Sequence, residues 1–303
     1  MATAPVLSPA TGTVSLRRGA SPRRRVADRL VAAGAVLCFA LAATPLVLVL
    51  GFVVARGMKR LDGTFLTHSM ARVGSNDPGG GAYHAIVGTL QQVLIASAIA
   101  VPLGLAAAVY LTEYGGGWLA RAVRFFVDVM TGIPSIVAGL FVYSFWVLGL
   151  HRGFSGFGGA MALAVLMLPV VVRSAEEMLL LVPASLREAG YALGIRKWRT
   201  VLGIVLPTAS AGLTTGVMLA VARVTGETAP LLLTVFGSSY INTDPLHGAQ
   251  SGLPLFIYQQ AQQAYQPAVD RAWAGALTLI VVVALLYTGA RLVTRRSALA
   301  ARR

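Results

Sequence analysis

The chain has 303 residues, of which 56% are hydrophobic and 12% charged, with a mean hydropathy of +0.72 and a formal net charge of +14. A soluble domain carries about a quarter charged residues, so one globular core cannot hide this much apolar surface, and a bilayer is its natural solvent. The basic residues cluster at the edges of apolar blocks, which places the positive charge at a membrane surface and argues against nucleic acid as a partner.

Residues 1–29 are polar and rich in arginine (Arg17, Arg18, Arg23, Arg24, Arg25 and Arg29), and are expected to form a disordered cytoplasmic tail. The apolar block that follows, 30–55, is longer than a signal-peptide core and ends in no clear cleavage site, so it reads as a retained first membrane helix. It contains the single cysteine, Cys38, which is expected to be a small buried hydrophobe. The histidines, His68, His84, His151 and His247, lack metal-ligand spacing. No cofactor or metal is expected.

Further apolar blocks lie at 85–111, 125–150, 157–173, 209–236 and 272–293. Most are long enough to cross about 30 Å of hydrocarbon at about 1.5 Å per residue. The expected fold is therefore an all-α polytopic membrane protein with six transmembrane helices over 30–293, followed by a basic tail, 294–303. Six crossings put both termini on one side. With that side cytoplasmic, eighteen of the 25 basic residues lie inside and six outside, leaving Arg223 within a span. The group Arg56, Lys59 and Arg60 goes against this bias. Pro45, Pro102, Pro134, Pro169 and Pro230 fall inside spans and are expected to kink them, which suits a transport core better than an anchor. The polar segment 237–271 is expected to pack across the outer mouth.

The segment 174–207 is too charged for a span and has helical character. Ser185 and Glu188 have capping-box spacing, so a short helix is expected to begin there and to end in a left-handed turn at Gly194. A second helical stretch passes through Trp198 and Ile204 to Pro207. Such a helix–turn–helix could be an ordinary capped loop or a docking peg for a soluble partner. The chain has two lysines, Lys59 and Lys197, and neither sits in a phosphate-binding G-x-x-x-x-G-K-[ST] loop, so ATP hydrolysis cannot be its own work.

Charges inside spans are functional suspects. Arg223 and Glu227 are four residues apart in AVARVTGETAPLLL, and Arg173 and Glu176 are three apart at the inner end of the fourth block, with Asp128 near the start of the third. Each pair could be a self-neutralising ion pair. Alternatively, they line an anion pathway, in which arginine matches a tetrahedral oxyanion and a nearby glutamate tempers its affinity. No Ser–His–Asp, HExxH or aspartyl-pair constellation supports an enzyme, and an energy-independent channel would not need the 174–207 loop.

The loop resembles the E-A-A-x3-G-x9-I-x-L-P signature of ATP-binding-cassette importer permeases, through Glu188, Ala189, Gly190, Gly194, Ile204, Leu206 and Pro207, with glycine in place of the second alanine. In that family this loop, here with Ser185 at its start, is the coupling helix that sits in a groove of the ATPase. The runs YLTEYG (110–115), GIPSIVAGLFVY (132–143), VVVRSAEEMLLLVPASLREAGYALG (170–194), ARVTGETAPLLL (222–233) and RAWAGALTL (271–279) resemble the PstA-type permeases of bacterial phosphate importers. The resemblance covers about 85–293 and implies the type I (MetI-like) permease fold in the bacterial cell membrane. It also implies a second, PstC-type permease, two PstB-type ATPase subunits and an extracytoplasmic PstS-type phosphate-binding protein as partners. Carried over, the translocation path is Arg173, Glu176, Arg223 and Glu227. A permease for sulfate or molybdate would share the loop, and only the GETAPLLL-type stretch argues against it. The arginine-rich N-terminal segment has no counterpart in the family pattern.

Overall fold

The computed structural model describes the backbone of residues 22–300 and the side chains of Arg23 and residues 26–292. Residues 1–21 and 301–303 lie outside the described residues, and with them most of the expected N-terminal tail. Helix α1 (Pro22–Gly57) begins within that expected tail, with proline at its first position, where its missing N–H is no loss. The last helix, α12 (Gln266–Ala300), likewise continues through the start of the expected C-terminal tail.

The chain divides into two compact units, Met1–Phe52 and Val53–Arg303. In the first unit, the described part of α1 is apolar and exposed nearly all round, including Leu37, Phe39, Leu41 and Leu46. Cys38 is exposed there as well, contrary to the expected buried thiol. A helix with apolar side chains on every face suits hydrocarbon rather than water.

The second unit holds α2 (Gly63–Thr67), α3 (Tyr83–Val109, extended by a π-helical turn Tyr110–Tyr114), α4 (Trp118–Gly132), α5 (Ser135–Val142, extended by a π-helical turn Tyr143–Gly149) and α6 (Gly156–Leu180). It continues with α7 (Ala184–Ala192), α8 (Lys197–Thr200) running through a π turn into α9 (Leu206–Thr225), then α10 (Ala229–Thr234), α11 (Leu253–Ala261) and α12. Five continuous helical stretches among the described residues are long and apolar enough to span: Val26–Gly57, Tyr83–Tyr114, Gly156–Leu180, Lys197–Thr225 and Gln266–Leu292. A sixth crossing is supplied if α4 and α5, bent by 106° at their junction, act as one broken span.

α6 is the central helix, packed against α3, α4, α5, α9 and α10. Its core joins Leu163, Met167 and Val171 to Ala96 and Ala100 of α3, Ala220 and Val224 of α9, and Leu231 of α10. Lipid tails are as apolar as leucine, so close contact between helices depends on small residues. Gly104 of α3 lies where a Cβ would meet Val171, and Gly216 of α9 where one would meet Ser174.

Two expected spans are interrupted. The 125–150 block breaks at Ile133–Pro134, where both residues leave the helical region. A residue before proline is pushed toward extended backbone, so Pro134 starts α5 rather than kinking one long helix. The 209–236 block breaks at Gly226–Thr228, and Pro230 sits in the first turn of α10. The fifth span instead begins earlier, at Lys197. Pro45, Pro102 and Pro169 do lie within helices.

The polar segment after α10 is anchored to the helices by glutamines. Gln92 donates from Nε2 to Gln250 Oε1 at 2.9 Å, and Gln250 Nε2 donates to Gln91 Oε1 at 2.5 Å. Arg271 has no exposed surface. Its guanidinium donates to Gln260 Oε1 and to the carbonyls of Gly74, Ser75, Asp77 and Gly79, at 2.5–3.3 Å. It ties the 74–79 loop to α11 and α12. In the same region Asp62 caps α2. The Thr64 hydroxyl and the Phe65 amide that donate to it hold its carboxyl below the usual range. In the 237–252 segment, Asp244 is lowered by the Leu246 amide and then by His247.

Candidate functional site

The two breaks face each other. α5 packs against α10 so closely that a Cβ on Gly139 would fall 2.6 Å from Pro230 Cα. This contact leaves a cavity of about 240 Å³ bordered by the end of α4, the start of α5, the middle of α6 and the end of α9. Thr131, Pro134, Ser135, Pro169, Arg223 and Glu227 are among its lining residues. Broken helices of this kind are tolerated at membrane depth where the backbone lines a cavity.

Arg223 is exposed and Glu227 half-buried. α9 ends at Thr225, so their four-residue spacing does not put them on one helical face, contrary to expectation. They line the same cavity from different elements, one on the last turn of α9 and one in the link to α10. Among the described residues they form no ion pair with each other, and the Arg223 guanidinium has no carboxylate partner. The self-neutralising alternative does not hold for this pair. An arginine opening on a cavity is free to bind an anion.

The second pair is joined and extended. Glu176 is buried, with its carboxylate held by Arg124 Nε at 2.8 Å and by Arg173 Nη1 at 3.3 Å. Arg173 Nη2 also pairs with Asp128. Arg124 donates in addition to the Leu111 carbonyl at 3.0 Å. The four side chains balance in charge. Sequence reasoning places Arg173, Glu176 and Asp128 among the intramembrane charges, but not Arg124, whose partner is 52 residues away.

The 174–207 segment forms the expected helix–turn–helix with a different start. Pro183, not Ser185, stands at the cap of α7, and no side chain caps its N-terminus, so the Ser185–Glu188 box does not form. Its end is as expected. Gly194 has φ +70°, its N–H donates to Tyr191 O at 2.9 Å, and Ile195 N–H donates to Gly190 O at 3.1 Å. This pair of bonds is a Schellman closure. Gly190 is buried where a Cβ would fall 2.9 Å from Thr200 Cγ2 and 3.3 Å from Ile204 Cδ1. Glycine in place of the motif alanine therefore lets α7 press against the start of the next helix. Leu206 and Pro207 open α9. Ser185, Glu188 and Ala189 are exposed, as are the apolar side chains Leu186, Tyr191, Leu193 and Trp198.

Arg187 fixes this hairpin to the spans. It pairs with the buried Glu113 at 2.8 Å and donates to the carbonyls of Val182 at 2.6 Å and Leu179 at 2.9 Å. Glu113 lies in the π-helical turn that ends α3. A π turn shifts side-chain register within a helix and is frequent at functional sites.

Comparison with known proteins follows the same lines. Residues 100–299 match the family described as "Binding-protein-dependent transport system inner membrane component". A "Phosphate transport system permease protein PstA 1" of Mycobacterium tuberculosis is 45% identical over 296 residues, covering 95% of this chain and 97% of the relative. A "Phosphate transport system permease protein PstA" of Yersinia pestis is 45% identical over 219 residues, covering 72% of this chain and 74% of the relative. Among solved structures, the inward-facing MetNI methionine ABC transporter matches with a TM-score of 0.55 and 22% identity, over 71% of this chain and 94% of that one. A bacterial ABC transporter that imports the acidic polysaccharide alginate matches with a TM-score of 0.57 and 14% identity, over 90% and 99%. These likenesses establish the fold as that of importer permeases. With its all-helical spans, its exposed α7–α8 hairpin and a family match across residues 100–299, the chain belongs to the family of binding-protein-dependent transport system inner membrane components.

Proposed function

We propose that this chain is the membrane permease subunit of an ATP-driven phosphate importer, and that Arg223, Glu227, Arg173 and Glu176 form its translocation path. The observation that carries this reading is Arg223, which has no carboxylate partner among the described residues and lines a cavity between two broken helices. The near-full-length likeness to phosphate permeases supports phosphate as the anion. At neutral pH phosphate is a mono- and dianion with several acceptor oxygens, and a planar guanidinium matches two of them at once.

The proposed mechanism is alternating access. A phosphate-binding protein delivers the anion from outside to a pair of permeases, of which this chain is one and a PstC-type subunit the other. One of the two ATPase subunits docks on the α7–α8 hairpin of this chain through Glu188, Ala189 and the exposed Leu186, Tyr191 and Leu193, and the other docks on the second permease. Their closure on ATP moves the hairpin, and Arg187 passes that movement to α3 and α6 through Glu113, Leu179 and Val182. With α4–α5 as one broken span there are six crossings, and the positive-inside bias puts both termini in the cytoplasm.

Uptake by membrane vesicles carrying the assembled importer tests the substrate. Labelled phosphate should enter in an ATP-dependent way, and unlabelled sulfate or molybdate should compete poorly. Efficient uptake of sulfate or molybdate in place of phosphate would leave the architecture intact and overturn the substrate.

A further inference from the structure

The four-charge cluster is not symmetric. Glu176 is 8% exposed and held by both arginines, whereas Asp128 is 57% exposed and its carboxylate reaches only Arg173. Arg173 itself is 38% exposed. The cluster lies in line with the Arg223 cavity. On α6, Leu166, Pro169 and Val170 line the cavity, and Arg173 follows on the same face by the three-, four- and seven-residue spacing of a helix. On α4, Thr131 lines the cavity, with Asp128 and Arg124 three and seven residues earlier on the matching face. One face of α6 and one face of α4 thus run from the cavity to the charge cluster.

Arg223, which lines the cavity, and Arg173, beyond it on α6, differ. Among the described residues Arg223 has no carboxylate partner, whereas Arg173 has one fixed partner, Glu176, and one exposed partner, Asp128. We propose that Asp128 is a displaceable counter-ion, a carboxylate that occupies the Arg173 guanidinium when no anion is in transit and yields it when a phosphate arrives from the Arg223 cavity. The exposed carboxylate loses little on release, because solvent in the path can take over its hydrogen bonds. Phosphate offers more acceptor oxygens than a carboxylate, and as the dianion it also carries more charge. Once phosphate moves on, Asp128 returns and lowers the affinity of Arg173 for a second anion, which favours release. Glu176 stays in place throughout, because vacating it would leave a buried charge unpaired. Asp128 is therefore a positioning residue for Arg173. The inference rests on the reading of Arg173 and Arg223 as the anion path.

The test uses the assembled importer in lipid nanodiscs and proteoliposomes, with inorganic phosphate as the probe. Asp128→Asn keeps the size of the side chain and removes its charge. The complex carrying it should bind phosphate about fivefold more tightly, the effect of losing one half-exposed ion-pair competitor, and should transport it more slowly at saturation. Asp128→Glu should behave like the wild type. In the Asp128→Asn/Arg173→Gln double variant the gain in affinity should vanish. Unchanged or weaker phosphate binding in Asp128→Asn, with Arg173→Gln and Arg223→Gln both inactive, would overturn the counter-ion alone. Normal transport by Arg173→Gln and Arg223→Gln would overturn the anion path and this inference with it.

Discussion

The guanidinium of Arg187, on α7, lies 2.8 Å from the carboxylate of Glu113, 74 residues earlier at the π-helical end of α3. Glu113 is 4% exposed in its side chain. Removing the arginine strands a buried charge, which costs about 3–5 kcal/mol. Arg187→Met should therefore lower the thermal stability of the purified complex strongly, and Glu113→Gln less so. The Arg187→Met/Glu113→Leu double variant should recover much of the loss, because no unpaired charge remains. Additive losses in the double variant would show that the pair does not act as a unit.

Gly190 and Thr200 make the second testable contact. Alanine at 190 would restore the motif residue and gain about 1 kcal/mol in helix propensity. Its Cβ would meet Thr200 Cγ2 at 2.9 Å, and Thr200 is fully buried. Overpacking at such a site costs about 1–3 kcal/mol. Gly190→Ala is therefore expected to be destabilising by thermal melting of the complex, and Thr200→Ala in the same chain to relieve it. A stabilised Gly190→Ala single variant would show that the hairpin has room to relax.

Arg271 serves the 74–79 loop. Its five donor contacts need the planar fork of arginine, which an ammonium cannot reproduce. In Arg271→Lys, limited proteolysis should cut within the 74–79 loop much faster than in the wild type, while α9 and the Arg223 cavity stay intact. Equal protection of that loop would contradict the assignment.

The cap of α2 sets a pH limit on the start of that helix. The Asp62 carboxyl is lowered by Thr64 and the Phe65 amide, so its contribution is fully present above the ordinary aspartate range and is lost as pH falls through the lowered value. Hydrogen exchange at the Phe65 amide should stay slow through the usual aspartate titration and accelerate only below it. Asp62→Asn should abolish that acid step.

Much of the architecture is legible in the sequence, because hydropathy over a 20-residue window is a local property. The α7–α8 hairpin is legible for the same reason: Gly194 must be glycine to adopt φ +70° comfortably, whatever lies around it. The two breaks are only half legible. Pro134 and Pro230 mark the positions, but whether a proline kinks a helix or starts a new one depends on α5 meeting α10 at Gly139. The expected one-faced Arg223–Glu227 pair fails for that reason. Ser185 has capping-box spacing, yet the rigid φ of Pro183 starts the helix first and turns Ser185 into an interior residue. Long-range partners carry no local signal at all. Arg124 with Glu176, and Glu113 with Arg187, are brought together only by the packing of α4 and α3 against α6.

The central claim is that an intramembrane arginine carries the anion, and Arg223→Gln tests it most directly. The variant keeps a polar side chain of similar reach and removes the charge, so the complex should assemble with wild-type yield and bind ATP normally. ATP-dependent uptake of labelled phosphate should fall to background in proteoliposomes that contain the full importer and its binding protein. Uptake at the wild-type rate by a correctly assembled Arg223→Gln complex would contradict the account.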